Sequence, residues 1–147
     1  MHTPLRRNTF IPAAYLILEN AKGEILLLKR LNTGYRDGFY SFVAGHVEPQ
    51  EMPSAAIIRE AYEEAGIVLQ PENVVLRHMM TLVPPGRIDY YFQATCWSGT
   101  VCNREPDKCS ELIWCAPTSL PSNIIPHVRQ ALSFVQSHVP FAEQIGE

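Results

Sequence analysis

The sequence predicts a mixed α/β fold, and three observations predict it. Short apolar runs suited to strands recur along the chain, bounded by Gly, Pro, Asn and Asp. One segment, residues 53–65, has helical periodicity with Pro53 at its first position and Gly66 just past its end. A second amphipathic stretch, residues 124–139, follows the last apolar run.

The elements follow in order. Residues 10–18 and 24–29 are apolar runs on either side of the Gly23 turn, and together they read as a β-hairpin. Residues 31–38 hold Asn, Thr, Asp and two glycines and read as a loop; residues 39–43 form a short strand after it. In the helix 53–65, Met52 stands where a capping Ser or Thr is usual, which costs about 0.5–2 kcal/mol locally. At about 100° per residue, Ile57, Ile58, Ala61, Tyr62 and Ala65 share one side, and Glu60, Glu63 and Glu64 cluster on the opposite one, pointing away from the core. Residues 73–83 and 87–97 read as strands around Pro84-Pro85-Gly86, and residues 111–115 as a last strand after a polar loop. The tail after Pro140 carries no periodic signal.

Composition bounds the function. The chain has 147 residues, enough for one domain spanning 1–147 with a real core. Hydrophobic residues make up 46% and charged residues 18%, as in folded globular proteins. A net charge of -3 argues against a broad face for a nucleic-acid polymer but admits a single nucleotide carried in with its metal. No apolar run reaches the roughly 18 residues a membrane span needs. Residues 1–7 hold two arginines with no apolar stretch after them, so the expected location is cytoplasmic. The four cysteines form no Cys-x-x-Cys pair and read as free thiols rather than a zinc site.

The chemistry is concentrated in residues 45–67. Their spacing is Gly45, five residues, Glu51, seven residues, Arg59-Glu60, two residues, Glu63-Glu64, one residue, Gly66. Carboxylates at i, i+3 and i+4 repel one another on a helix. A divalent cation would convert that repulsion into attraction, and hard oxygen donors suit Mg²⁺ or Mn²⁺.

This spacing resembles the signature of the Nudix hydrolases, met at all seven of its fixed polar or glycine positions. The resemblance implies a Nudix fold, a mixed β-sheet sandwiched between α-helices. It also implies Mg²⁺-dependent hydrolysis of a nucleoside diphosphate linked to another group, with Mn²⁺ as a substitute. By resemblance, Glu60, Glu63, Glu64 and the carbonyl of Ala44 are metal ligands, and Arg59 orients glutamates such as Glu51 or Glu60. The water-activating base is Glu60, Glu64 or, outside the motif, Glu105, with Asp107 competing for the last assignment. Where many members read Pro-Gly-Gly, this chain reads Ala44-Gly45-His46. Gly45 is retained at the substrate loop, and His46 either touches a substrate phosphate or fills the loop.

Among these hydrolases the chain looks most like MutT-type pyrophosphohydrolases, which convert an NTP or dNTP to NMP plus pyrophosphate, oxidised purines included. Asn123 stands where such enzymes carry a purine-reading asparagine; it equally suits the cap of the following helix. Tyr35, Phe39, Phe42, Tyr90 and Phe92 are candidate stacking partners for a base. The alternatives are a nucleotide-sugar or dinucleoside polyphosphate hydrolase and, from another class, a non-catalytic nucleotide-binding regulatory domain. A homodimer is compatible with the sequence but not dictated by it.

Overall fold

Eight strands and two α-helices are present in the computed structural model, which describes Thr3 and residues 5–146. Met1, His2, Pro4 and Glu147 lie outside the described residues, and the reading of residues 1–7 and of the 1–147 boundaries rests partly on them. The strands are β1 (Ile11–Leu18), β2 (Ile25–Arg30), β3 (Tyr40–Ser41), β4 (Val43–His46), β5 (Val75–Leu82), β6 (Arg87–Ala94), β7 (Cys109–Cys115) and β8 (Phe141–Gln144). The helices are α1 (Pro53–Ala65) and α2 (Pro126–Gln136).

The alternation of β1 shows how the layers are built. Ala13, Tyr15 and Ile17 enter one core, shared with Val128, Ala131, Leu132 and Val135 of α2. Ala14, Leu16 and Leu18 enter a second core, shared with Ala56, Ile57, Ala61 and Ala65 of α1. A strand buried on both faces must be apolar throughout, which explains its unbroken hydrophobic run. It lies inside a five-stranded mixed sheet ordered β4-β1-β6-β5-β8, with β1 antiparallel to β4 and parallel to β6. The predicted sheet between helices is therefore present. A second, antiparallel sheet, ordered β3-β2-β7, accompanies it.

Several sequence expectations are corrected. β1 and β2 do not form a hairpin ladder; one bridge, Glu19 to Ile25, joins them before they enter different sheets. Each is apolar on both faces, so each takes a central place with partners on both edges. The strand expected over residues 39–43 is divided at Phe42, pairing first with β2 and then with β1. The last strand begins at Cys109 rather than Glu111, and α2 begins at Pro126 rather than residue 124. The tail contributes β8, parallel to β5.

Helix α1 has the predicted bounds. Met52 gives its N-cap no side-chain hydrogen bond, and Gly66 closes it in the left-handed conformation at φ 70°. Its buried stripe differs in detail: Ala56 is buried, whereas Tyr62 is exposed under the Arg104 guanidinium, 4.9 Å from the ring centroid. No helix among the described residues is long and apolar enough to cross a membrane.

Candidate active site

Helix α1 lies against β4, and this packing sets the positions of the glutamates. Glu64 turns inward, against expectation, and its Oε2 accepts the Ala44 amide N–H at 3.0 Å. Burial pushes its carboxyl well above the usual range, the Glu60 charge adds to the rise, and the Ala44 hydrogen bond opposes it. Glu60 also faces β4, its side chain only 14% exposed, and is raised chiefly by burial with Arg59 opposing. Glu63 alone of the three is exposed to water. The trio therefore does not point together away from the core.

Gly45 explains how Glu60 comes so close to a strand. A Cβ on Gly45 would stand 2.1 Å from Glu60 Oε1 and 2.2 Å from its Cδ. The missing side chain is the space the carboxylate occupies, so Gly45 has a steric role as well as a place in the lining of the cleft.

Arg59 gathers the motif's remaining carboxylates. Nε and Nη2 donate to the two oxygens of Glu51 at 2.9 and 3.0 Å. Nη1 donates to Glu60 at 2.8 Å and Glu63 at 3.2 Å, and Nη2 reaches the His46 carbonyl at 3.2 Å. The guanidinium fork, which has five donors, is thus spent on positioning. Arg59 and the Glu48 amide hold the Glu51 carboxyl down at about 2. A depressed folded-state value contributes stability above the ordinary Glu range, lost as pH falls toward 2. Glu51→Gln is accordingly expected to lose less stability than wild type between pH 5 and 2.5, measured by urea unfolding; equal slopes would dismiss the linkage.

Glu105 stands with this cluster, and Asp107 does not. Glu105 lines a cavity of about 210 Å³ together with Glu64, Ala44, Lys108, Cys109 and Arg30. Its carboxyl is raised by burial first, then by Glu63 and Asp107. Asp107 is exposed and lines no such cavity.

Arg30 joins this acidic cavity to a longer cleft. The first compartment, about 280 Å³, is lined by Ala44, Gly45, His46, Tyr15, Arg87 and His127 among others. The next, about 410 Å³, retains Arg30, Tyr35, His46, Arg87 and His127 and adds Leu82, Pro85 and Gly146. Arg30 is held by the Tyr35 carbonyl at 2.7 Å and the Thr33 hydroxyl at 3.0 Å. At the cleft floor, Arg87 donates to both oxygens of fully buried Asp89, at 2.6 and 3.0 Å. Its Nη2 lies 3.3 Å from His127 Nε2, which is 3.4 Å from the Tyr15 hydroxyl.

Of the predicted site residues, Ala44, Glu60, Glu64, Arg59, Glu51 and Glu105 are brought around one corner, with His46 at the cleft. Asn123 is elsewhere: its amide donates to the Gly38 carbonyl at 2.8 Å and lines none of these compartments. It does not cap α2 either, because the cap position is Ile125. Among the stacking candidates, Phe42 and Phe92 are core, Phe39 and Tyr90 pack partly buried against it, and only Tyr35 lines the cleft. Sequence reasoning missed Arg30, Arg87, His127 and Tyr15. The signal for Arg87 and Asp89 was available: opposite charges at i and i+2 share one face of a strand.

The donor set fits a hard divalent cation. Burial raises the carboxyls of Glu60, Glu64 and Glu105 first, and neighbouring charges add to it, Glu105 on both Glu60 and Glu64 and Glu63 on Glu105; a cation would relieve this crowding. No three His, Cys, Asp or Glu side chains among the described residues are gathered into a cage beforehand. Arg59 instead draws Glu60 and Glu63, while Glu64 rests on Ala44.

Comparison with known proteins agrees with this arrangement. The family model of the NUDIX domain matches residues 9–137. The CTP pyrophosphohydrolase of Escherichia coli K12 is 32% identical over 97 residues, covering 65% of this chain and 68% of that protein. The crystal structure of a MutT NUDIX hydrolase from Burkholderia pseudomallei superposes with a TM-score of 0.77 at 25% identity, covering 86% of this chain and 98% of the other. The solution structure of the E. coli ORF135 protein gives 0.72 at 27% identity, covering 94% and 99%.

Proposed function

Because the chain belongs to the NUDIX family, we propose that it is a Mg²⁺-dependent pyrophosphohydrolase converting an NTP or dNTP to NMP plus pyrophosphate. One observation carries this reading. An acidic cavity suited to a metal opens, through Arg30, into a cleft with hydrogen-bonding walls. A triphosphate and its nucleoside need such neighbouring environments.

The residues then divide the work. Glu60, Glu63, Glu64 and the Ala44 carbonyl would hold the cation, which supplies charge neutralisation for the phosphoryl oxygens when bound. Arg59 and Glu51 hold Glu60 and Glu63 in place. Arg30 and Lys108 bring positive charge to the phosphates. Glu64 and Glu105 are the best-placed candidates to take a proton from water, since burial brings a carboxyl's affinity for a proton closer to neutrality. Glu105→Gln is expected to lower turnover at least about tenfold, ~1.4 kcal/mol of barrier; near-normal turnover would remove Glu105 from the mechanism.

The relative that acts on CTP favours a pyrimidine triphosphate as one member of the substrate class. Asn123 gives one amide hydrogen to the Gly38 carbonyl and lines none of the compartments, so its position adds no support for an oxidised purine. The test is a Mg²⁺ panel of NTPs, dNTPs, oxidised dNTPs, nucleotide-sugars and dinucleoside polyphosphates, read as phosphate release after pyrophosphatase or phosphatase coupling. Release of pyrophosphate from triphosphates is expected. Preferential release from nucleotide-sugars or dinucleoside polyphosphates would replace the substrate class, and inertness of the folded protein toward all of them would favour a binding role.

A further inference from the structure

The residues after α2 reach the nucleotide cleft. β8 runs parallel to β5, with the Met79 amide donating to the Pro140 carbonyl at 2.9 Å and the Val83 amide to the Gln144 carbonyl at 3.2 Å. The chain then crosses the turn between β5 and β6, where the Gly146 amide donates to the Val83 carbonyl at 3.4 Å. A Cβ at Gly146 would stand 1.6 Å from the Pro84 carbonyl oxygen and 2.8 Å from its carbon. Those are backbone atoms, so no side-chain rotation relieves the clash. Glycine is therefore a condition of this docking.

Docked in this way, Gly146 lines the 410 Å³ compartment together with Tyr35, Arg87 and His127 and the apolar Leu82 and Pro85. Walls that combine Leu82 and Pro85 with the polar groups of Tyr35, His46, Arg87 and His127 suit a flat ring with hydrogen-bonding edges. This compartment shares only Arg30 with the cavity that holds Glu64 and Glu105.

We propose that the segment Phe141–Gly146, pinned at Gly146 against Pro84, presents Gly146 as a specificity-determining wall of the cleft, and that this wall bounds the nucleobase rather than the phosphates. The inference rests on the reading of the site as a nucleoside triphosphate pyrophosphohydrolase. It places the wall at the far end from the acidic cluster. Disturbing it changes which base is accepted and how tightly, and leaves the reacting phosphates alone.

The experiment compares wild type with Gly146→Val and the milder Gly146→Ala. It measures hydrolysis of CTP, UTP, ATP and GTP, and equilibrium binding of their non-hydrolysable α,β-methylene analogues. Gly146→Val is expected to raise KM for the preferred triphosphate at least fivefold, keep kcat within twofold, and narrow the spread of kcat/KM across the four bases. Should that variant fail to fold, Gly146→Ala is judged by the same split, at about twofold in KM. Unchanged KM and spread in a folded variant, or a fall in kcat alone, would overturn the proposal. If wild type hydrolyses no triphosphate, the proposed function fails, and analogue binding then decides the wall by itself. Weaker binding in the variant supports it, and equal or absent binding in both proteins overturns it.

Discussion

Glu64→Gln is expected to slow turnover at least about 100-fold, ~2.7 kcal/mol of barrier, and yet to make the metal-free protein more stable at neutral pH. Both effects come from one carboxylate, which burial disfavours as a charge and which the proposed chemistry uses. The amide oxygen of a glutamine can still accept the Ala44 N–H, so the local hydrogen bond survives. What disappears is the charge, which burial and the neighbouring Glu60 both disfavour. A carboxyl raised in the folded state contributes stability that is fully present below the ordinary Glu range and is lost as pH rises through the folded value. Wild type should therefore melt at a lower temperature at pH 8 than at pH 5, and Glu64→Gln should show less of that decline. Added Mg²⁺ should stabilise wild type more than the variant, because binding to the folded state alone raises stability. Turnover near wild type would remove Glu64 from the mechanism, and identical melting slopes would refute the electrostatic account.

Helix α1 and its glutamates were legible in the sequence because two independent signals agreed: 3.6-residue periodicity, and Pro53 and Gly66 as punctuation. The contacts of Arg59 with Glu51 and Glu60 were legible only through the Nudix resemblance, which implies an arginine at this position that orients glutamates. Strand partnership was not. β1 and β2 are both apolar on two faces, and a hydrophobic run does not state which strand lies beside it. The inward turn of Glu64 was equally hidden, since helical phase gives a direction and not what lies in that direction. Here it is the β4 backbone. β8 escaped because its inner positions are Ala142 and Gln144, which carry no hydrophobic alternation. Tyr35 and Phe42 looked alike as stacking candidates, but only burial separates the cleft residue from the core residue.

Gly45→Ala is expected to reduce activity about 100-fold while costing little stability. The added Cβ falls 2.1 Å from Glu60 Oε1 and 2.8 Å from its Cγ, and these atoms belong to the end of a flexible side chain. The carboxylate moves and the strand stays. Displacement costs Glu60 a rotamer change of about 0.5–1.5 kcal/mol. It also costs the 2.8 Å bond to Arg59, a partly buried pair worth about 1 kcal/mol. Folding therefore loses about 2.5 kcal/mol at most, whereas misplacing a positioned group by about 1 Å is enough for a 100-fold loss of rate. A double-mutant cycle isolates the cause. In a Glu60→Ala background the carboxylate is gone, so Gly45→Ala should have nothing to displace. Its cost by urea unfolding should then fall close to zero. An undiminished cost in that background would mean that the strand itself, rather than Glu60, requires glycine at this position.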